Sequence, residues 1–175
     1  LDAAGLTDAL DQPEADLTVF APSDGAFTRL AQDFGYAGDP DDEQAVFNAI
    51  ADTLAGLNEN GDPIPVLQDV LQYHVSPGEK PLSDVAQLSE VSTLLDNASF
   101  SPDGTSLVDN DPDATDPQLA ATDVETSNGI VHVIDRVLLP IDVPGNENND
   151  EKTGTAGSDV IYGNAGNDEV YGNQG

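Results

Sequence analysis

The sequence predicts an α+β fold followed by a short repeat array. Three observations carry this. Apolar residues recur at helical spacing through most of the first ninety positions. From Val91 onward the pattern changes to short β-branched runs separated by turn residues. From Gly154 a nine-residue Gly/Asp period begins.

The elements follow in order. Leu1, Ala4, Leu6 and Leu10 mark a short amphipathic helix, and Asp11 to Asp16 a turn around Pro13. Leu17 to Ala21 reads as a buried strand, ended by Pro22. Ser23 is a suitable N-cap for a helix through about Gln32. Gly35 to Asp42 is an acidic loop. Asp42 or Glu43 opens a helix to about Leu57, with Val46, Ile50, Leu54 and Leu57 on one face. Pro65 starts another, with Val66, Leu67, Val70, Leu71 and His74 on one side. Pro77-Gly78 is a turn, and Leu82 to Leu88 a short helix capped near Ser83. Ser92 to Leu95, Ala98 to Ser101 and Ser106 to Val108 are short strands, with a hairpin at Asp103-Gly104. An acidic loop spans Asp109 to Pro117. Leu119 to Val124 and Gly129 to Val137 are strands, and Asn128-Gly129 forms the tight turn between them. Pro140 and Pro144 close the domain at about residue 141, and residues 142–153 read as a polar linker.

Charge bounds function. The chain has 34 acids against four bases, Arg29, Lys80, Arg136 and Lys152, for a formal charge of −30. No basic patch exists to neutralise phosphates, which excludes nucleic acid and argues against anionic lipid. Such a surface suits a saline medium or one rich in divalent cations. No apolar run spans a membrane. There is no Cys, so disulfides, thiol nucleophiles and Cys-based zinc sites are ruled out. The chain has no Met, starts within a helical pattern and stops within a repeat, as expected of a piece of a longer protein.

Catalysis finds no foothold. His74 and His132 are the only imidazoles, and Asp135 lies on the opposite strand face from His132. There is no Gly-x-Ser-x-Gly elbow or phosphate-binding glycine loop. His74, beside Tyr73 at a helix end, reads as a core histidine donating to backbone carbonyls. Phe20 and Phe27 read as core anchors.

Three segments carry a family resemblance. "LTVFAPSDGAF" (Leu17 to Phe27) turns a buried strand through Ala-Pro-Ser into a helix. "LQYHVSPG" (Leu71 to Gly78) places Tyr-His after a helix. "SNGIVHVIDRVLLP" (Ser127 to Pro140) supplies the last strand. In this order and spacing they resemble the fasciclin-like domain family across residues 1–141, although a helical stretch that usually precedes "LDAAGLTDAL" is missing. The resemblance implies a β-sandwich wedge joined to a helical layer, and a non-enzymatic role in adhesion to a cell-surface or matrix protein or glycan. The Tyr-His segment and its flanks are implicated in receptor binding in some relatives. That points to Leu71, Tyr73, His74 and Val75 as partner-binding residues. Two competing roles follow from the same resemblance: a carrier of an apolar small molecule in a cleft, and a structural spacer.

The end of the chain is periodic. "GTAGSDVIY" (154–162) and "GNAGNDEVY" (163–171) repeat Gly-x-x-Gly-x-Asp-x-apolar-x, and "GNQG" begins a third copy. Gly154, Gly157, Gly163 and Gly166 permit tight turns with open carbonyls. Asp159 and Asp168 add carboxylates, and Ca²⁺ takes roughly six to eight such oxygens. The pattern resembles the RTX nonapeptide repeat. That implies a fragment of a parallel β-roll, calcium as the cofactor, and an extracellular or cell-surface location reached by export in the unfolded state. In such a roll an ion lies between turns two repeats apart, so the copies present leave the site incomplete. Asp109, Asp111 and Asp113 form a second, weaker calcium candidate. They are spaced like the start of an EF-hand, but Ala114 and Ala120 replace the required Gly and Glu, so a solvated acidic loop is the favoured reading.

Overall fold

The computed structural model describes residues 15–57, 60–111 and 115–140, together with the backbone of residues 151–153 and 169–171. The helix expected at Leu1 to Leu10 lies outside these residues.

Strand β1 (Leu17–Pro22) buries Leu17, Thr18 and Phe20 and leaves its other three residues half-buried. It turns at Ser23, whose N–H donates to the Ile134 carbonyl, into helix α1 (Asp24–Asp33). Ser23 stands at the N-cap in extended geometry, but its side chain makes no capping bond. Helix α2 (Glu43–Gly56) is capped by Asp42, which accepts the Ala45 N–H at 3.0 Å. Helix α3 (Ile64–Tyr73) carries Pro65 in its first turn. Strand β2 (Val75–Pro77) follows at once. Helix α4 (Leu82–Val85) is shorter than its sequence suggests and has no side-chain cap, which corrects the assignment of Ser83. Strands β3 (Val91–Ser92), β4 (Ser99–Asp103), β5 (Ser106–Val108), β6 (Leu119–Thr126) and β7 (Gly129–Ile134) complete the domain.

The strands form a mixed sheet, β2-β1-β7-β6, and a second sheet, β3-β4-β5. The central pair is parallel, Leu17 opposite Gly129 through Pro22 opposite Ile134. The two sheets meet across Phe20 and Phe100, whose rings lie edge to face at 5.0 Å. Tyr73, Val85, Val91, Leu107, Ile134 and Leu138 fill the space around them. This is a β-sandwich. Its helical layer has its own apolar contacts: Ala26, Leu30 and Val70 pack on Val137 and Leu139, and Leu54 and Leu57 pack on Val66.

Two expectations change. The last strand ends at Ile134 rather than Val137. Asp135 and Arg136 form ion pairs with Arg29 (3.2 Å) and Asp33 (2.9 Å) of α1, and beyond the sheet Val137 and Leu139 pack against the helices while Leu138 joins the sandwich core. Phe27 is not a core anchor. Helix α1 buries Ala26, Leu30 and Ala31, and that phase leaves Phe27 43% exposed.

Beyond the domain, β8 (Glu151–Thr153) and β9 (Glu169–Tyr171) pair in parallel, Glu151 opposite Glu169. The offset of 18 residues is twice the nine-residue period. Among the described residues no helix is long and apolar enough to cross a membrane.

Candidate functional site

The Tyr-His segment closes α3 and starts β2. Tyr73 is fully buried, and its hydroxyl donates to the Ser99 carbonyl at 2.8 Å. Burial, reinforced by the Asp109 carboxylate, raises its pKa. His74 is buried with both ring nitrogens occupied. Nε2 accepts the Leu138 N–H at 2.9 Å, so Nδ1 carries the proton and donates to the Val70 carbonyl at 2.6 Å. Burial lowers its pKa to about 4. The reading of His74 as a core histidine holds, and its reach is longer than a helix end, because it ties α3 to the chain beyond β7.

The same packing bears on the partner-binding assignment. Tyr73, His74 and Val75 all point inward, and only Leu71 keeps partial exposure. In the folded domain a partner could therefore touch Leu71 but not the other three side chains. The segment acts here as a stitch between the helical layer and the sandwich.

His132 is a second stitch that the sequence did not single out. It is fully buried against Phe20, with ring centroids 5.4 Å apart. Nδ1 accepts the Asp123 N–H and Nε2 donates to the Lys80 carbonyl at 2.9 Å. The signal was the inward alternation Ile130, His132, Ile134.

The acidic loop is not solvated where it begins. Asp109 turns inward, and its two oxygens accept the Leu139 N–H (2.8 Å) and the Asp111 N–H (3.1 Å). Burial pushes its pKa up to about 7, against the lowering effect of those bonds. Asp111 is 3% exposed. This corrects the solvated reading of the loop at Asp109 and Asp111. The carboxylate oxygens that an ion would need at Asp109 are bonded to main-chain N–H groups, and no group of three or more metal-ligating side chains occurs among the described residues. Asp113 lies outside those residues, as do Gly154, Gly157, Asp159, Gly163, Gly166 and Asp168.

The Fasciclin domain profile matches residues 1–140. The chain belongs to the fasciclin domain family. A second profile, the RTX calcium-binding nonapeptide repeat, matches residues 144–175 and so takes in most of the stretch read as linker. Two proteins of Synechocystis sp. are similar to this fasciclin domain. The uncharacterized protein sll1735 is 32% identical over 137 residues, covering 78% of this chain and 82% of its own. Protein sll1483 is 33% identical over 141 residues, covering 79% and 62%. Human periostin is 26% identical over 155 residues, and only 15% of its length is spanned. Among solved structures, a FAS1 domain pair from the insect cell adhesion molecule fasciclin I aligns with a TM-score of 0.46 and 20% identity, covering 82% of this chain and 42% of that one. In this fasciclin domain, both imidazoles are committed to main-chain hydrogen bonds, and nothing described points to enzymatic activity.

Proposed function

We propose that this chain is an extracellular, non-catalytic adhesion module whose fasciclin domain meets a cell-surface or matrix partner and whose C-terminal repeats bind calcium. One observation carries the reading: a fasciclin domain and a calcium-binding repeat array occupy one chain, at 1–140 and 144–175. The acidic surface is consistent with it. Of the four bases, Arg29 and Arg136 are engaged in ion pairs on the domain itself. A surface of −30 is better tolerated where salt and divalent cations are abundant.

The repeat register extends further back than the two clear copies. Residues 145–153 place Gly145 at the first position and Asp150 at the sixth, with Lys152 where the apolar residue belongs. Asp150 and Asp168 then stand 18 residues apart, the offset of the β8–β9 pair. Asp150 and Asp168 would share an ion with the carbonyls of their turns, supplying the hard oxygen donors calcium favours. Bound calcium would neutralise the facing carboxylates and let the turns stack.

Two measurements test this. In calorimetric calcium titration of the full chain, Asp150→Asn and Asp168→Asn should each weaken binding at least about tenfold, and more than Asp159→Asn does. Unchanged binding in Asp150→Asn would remove residues 145–153 from the site. For adhesion, beads coated with the full chain should adhere to cell or matrix surfaces in calcium-containing saline, and failure on every surface tried sinks the adhesion reading.

A further inference from the structure

A groove of about 720 Å³ lies between α1 and α2. Val46 is buried in its lining and Ile50 half-buried. Two phenyl rings line it from facing helices, Phe27 at 43% and Phe47 at 62% exposure. Large apolar side chains paired in a concave surface leave apolar area in contact with water and so favour an occupant. Asp24, Asp41 and Glu43 also line the groove, and all three are exposed. No described cation offsets them. Arg29 and Arg136 pair with Asp135 and Asp33, and the Lys80 ammonium donates to the Pro77 and Gly78 carbonyls. Asp24 and Glu43 stand in the first turns of α1 and α2, where acids are favourable. That accounts for two of the three acids and for neither ring.

We propose that this groove docks a cationic amphipathic segment of a partner protein, with apolar side chains between Phe27 and Phe47 and Lys or Arg against Asp24, Asp41 and Glu43. The inference rests on the adhesion-module reading and names its contact surface. Helix-in-groove recognition needs an apolar slot, and the surrounding charge selects the partner. Other occupants fit less well. A neutral apolar molecule makes no use of three carboxylates. A fatty-acid anion is repelled by them. A second copy brings a charge of −30 to the same acids. Residues 1–14 carry Asp2, Asp8, Asp11 and Glu14 and no base.

The test uses the full chain and an amphipathic Leu/Lys helical peptide as probe, at about 0.15 M salt to suppress long-range attraction. Amide shifts on binding should cluster around Phe27 and Phe47. Phe47→Ser should weaken the peptide at least about tenfold by calorimetry. The combined change Asp24→Asn, Asp41→Asn, Glu43→Gln should do the same. A control triple at exposed acids elsewhere, Glu79→Gln, Glu90→Gln, Asp103→Asn, should cost less than about twofold. Thermal melts establish that each variant is folded. If the control triple weakens binding as much as the groove triple, the peptide reads net charge alone and the proposal fails. It also fails if Phe47→Ser binds normally, or if a long-chain alcohol shifts the groove amides while the peptide does not. Adhesion in the same buffer separates the two readings. Undiminished adhesion of Phe47→Ser overturns the groove and leaves the adhesion module standing. Expected peptide binding by a chain that adheres to nothing supports the groove and overturns the adhesion module.

Discussion

Residue 74 shows how much one imidazole can hold. Its ring holds the Val70 carbonyl of its own helix and the Leu138 N–H, which lies 64 residues further along the chain. His74→Ala leaves the buried Leu138 N–H without an acceptor and opens a cavity, and should cost about 2–4 kcal/mol in chemical denaturation. Its pH signature is opposite to that of Asp109. The folded pKa of His74 lies near 4, below the unfolded value of 6.5, so its contribution is complete above about 6.5 and lost as pH falls through 4. Asp109 is raised to about 7 from 3.8, so its contribution is complete below about 3.8 and lost as pH rises through 7. Denaturant titrations across pH 4 to 7 should therefore show Asp109→Asn losing less stability with rising pH than the parent chain. Identical slopes would show that the Asp109 carboxyl is not desolvated in the folded domain. The histidine was legible in the sequence as a core residue, because a lone His at a helix end seldom does anything else. The inward turn of Asp109 was not, since acids in a run of Asp, Asn and Pro look solvated unless a partner N–H is known.

Elements were legible in proportion to their length. Helices α2 and α3 carry clear periodicity, and the strand-to-helix corner at Pro22-Ser23 follows from residue chemistry. Strand β2, three residues long, exists only because β1 pairs with it. The β1–β7 contact makes a specific demand at Gly129. Its φ is +151°, and a Cβ there would lie 1.9 Å from the Leu17 carbonyl oxygen. Backbone cannot swing aside as a side chain does, so Gly129→Ala should destabilise the domain by about 3 kcal/mol or more, read as a shift in the denaturation midpoint. Asp42→Ala removes the α2 cap and should cost about 1 kcal/mol by the same measurement.

Over the whole molecule, charge governs stability. The two ion pairs among the described residues, Arg29–Asp135 and Arg136–Asp33, are partly exposed to solvent and contribute little. Repulsion among 34 acids contributes more. Raising NaCl from about 10 mM to about 500 mM should therefore raise Tm by several degrees. A Tm that falls would mean the ion pairs outweigh the repulsion.

Local pattern and residue chemistry determined the order of helices and strands, the corner at Ser23, the hairpin at Gly104, the family signatures and the nine-residue period. Each depends on neighbours within a few positions along the chain. The tertiary structure decided the parallel pairing of β1 with β7, the burial of Tyr73, His74 and Val75, the inward turn of Asp109 and the exposure of Phe27 beside Phe47. These depend on segments far apart in sequence, and periodicity reports which residues share a face without reporting what covers it.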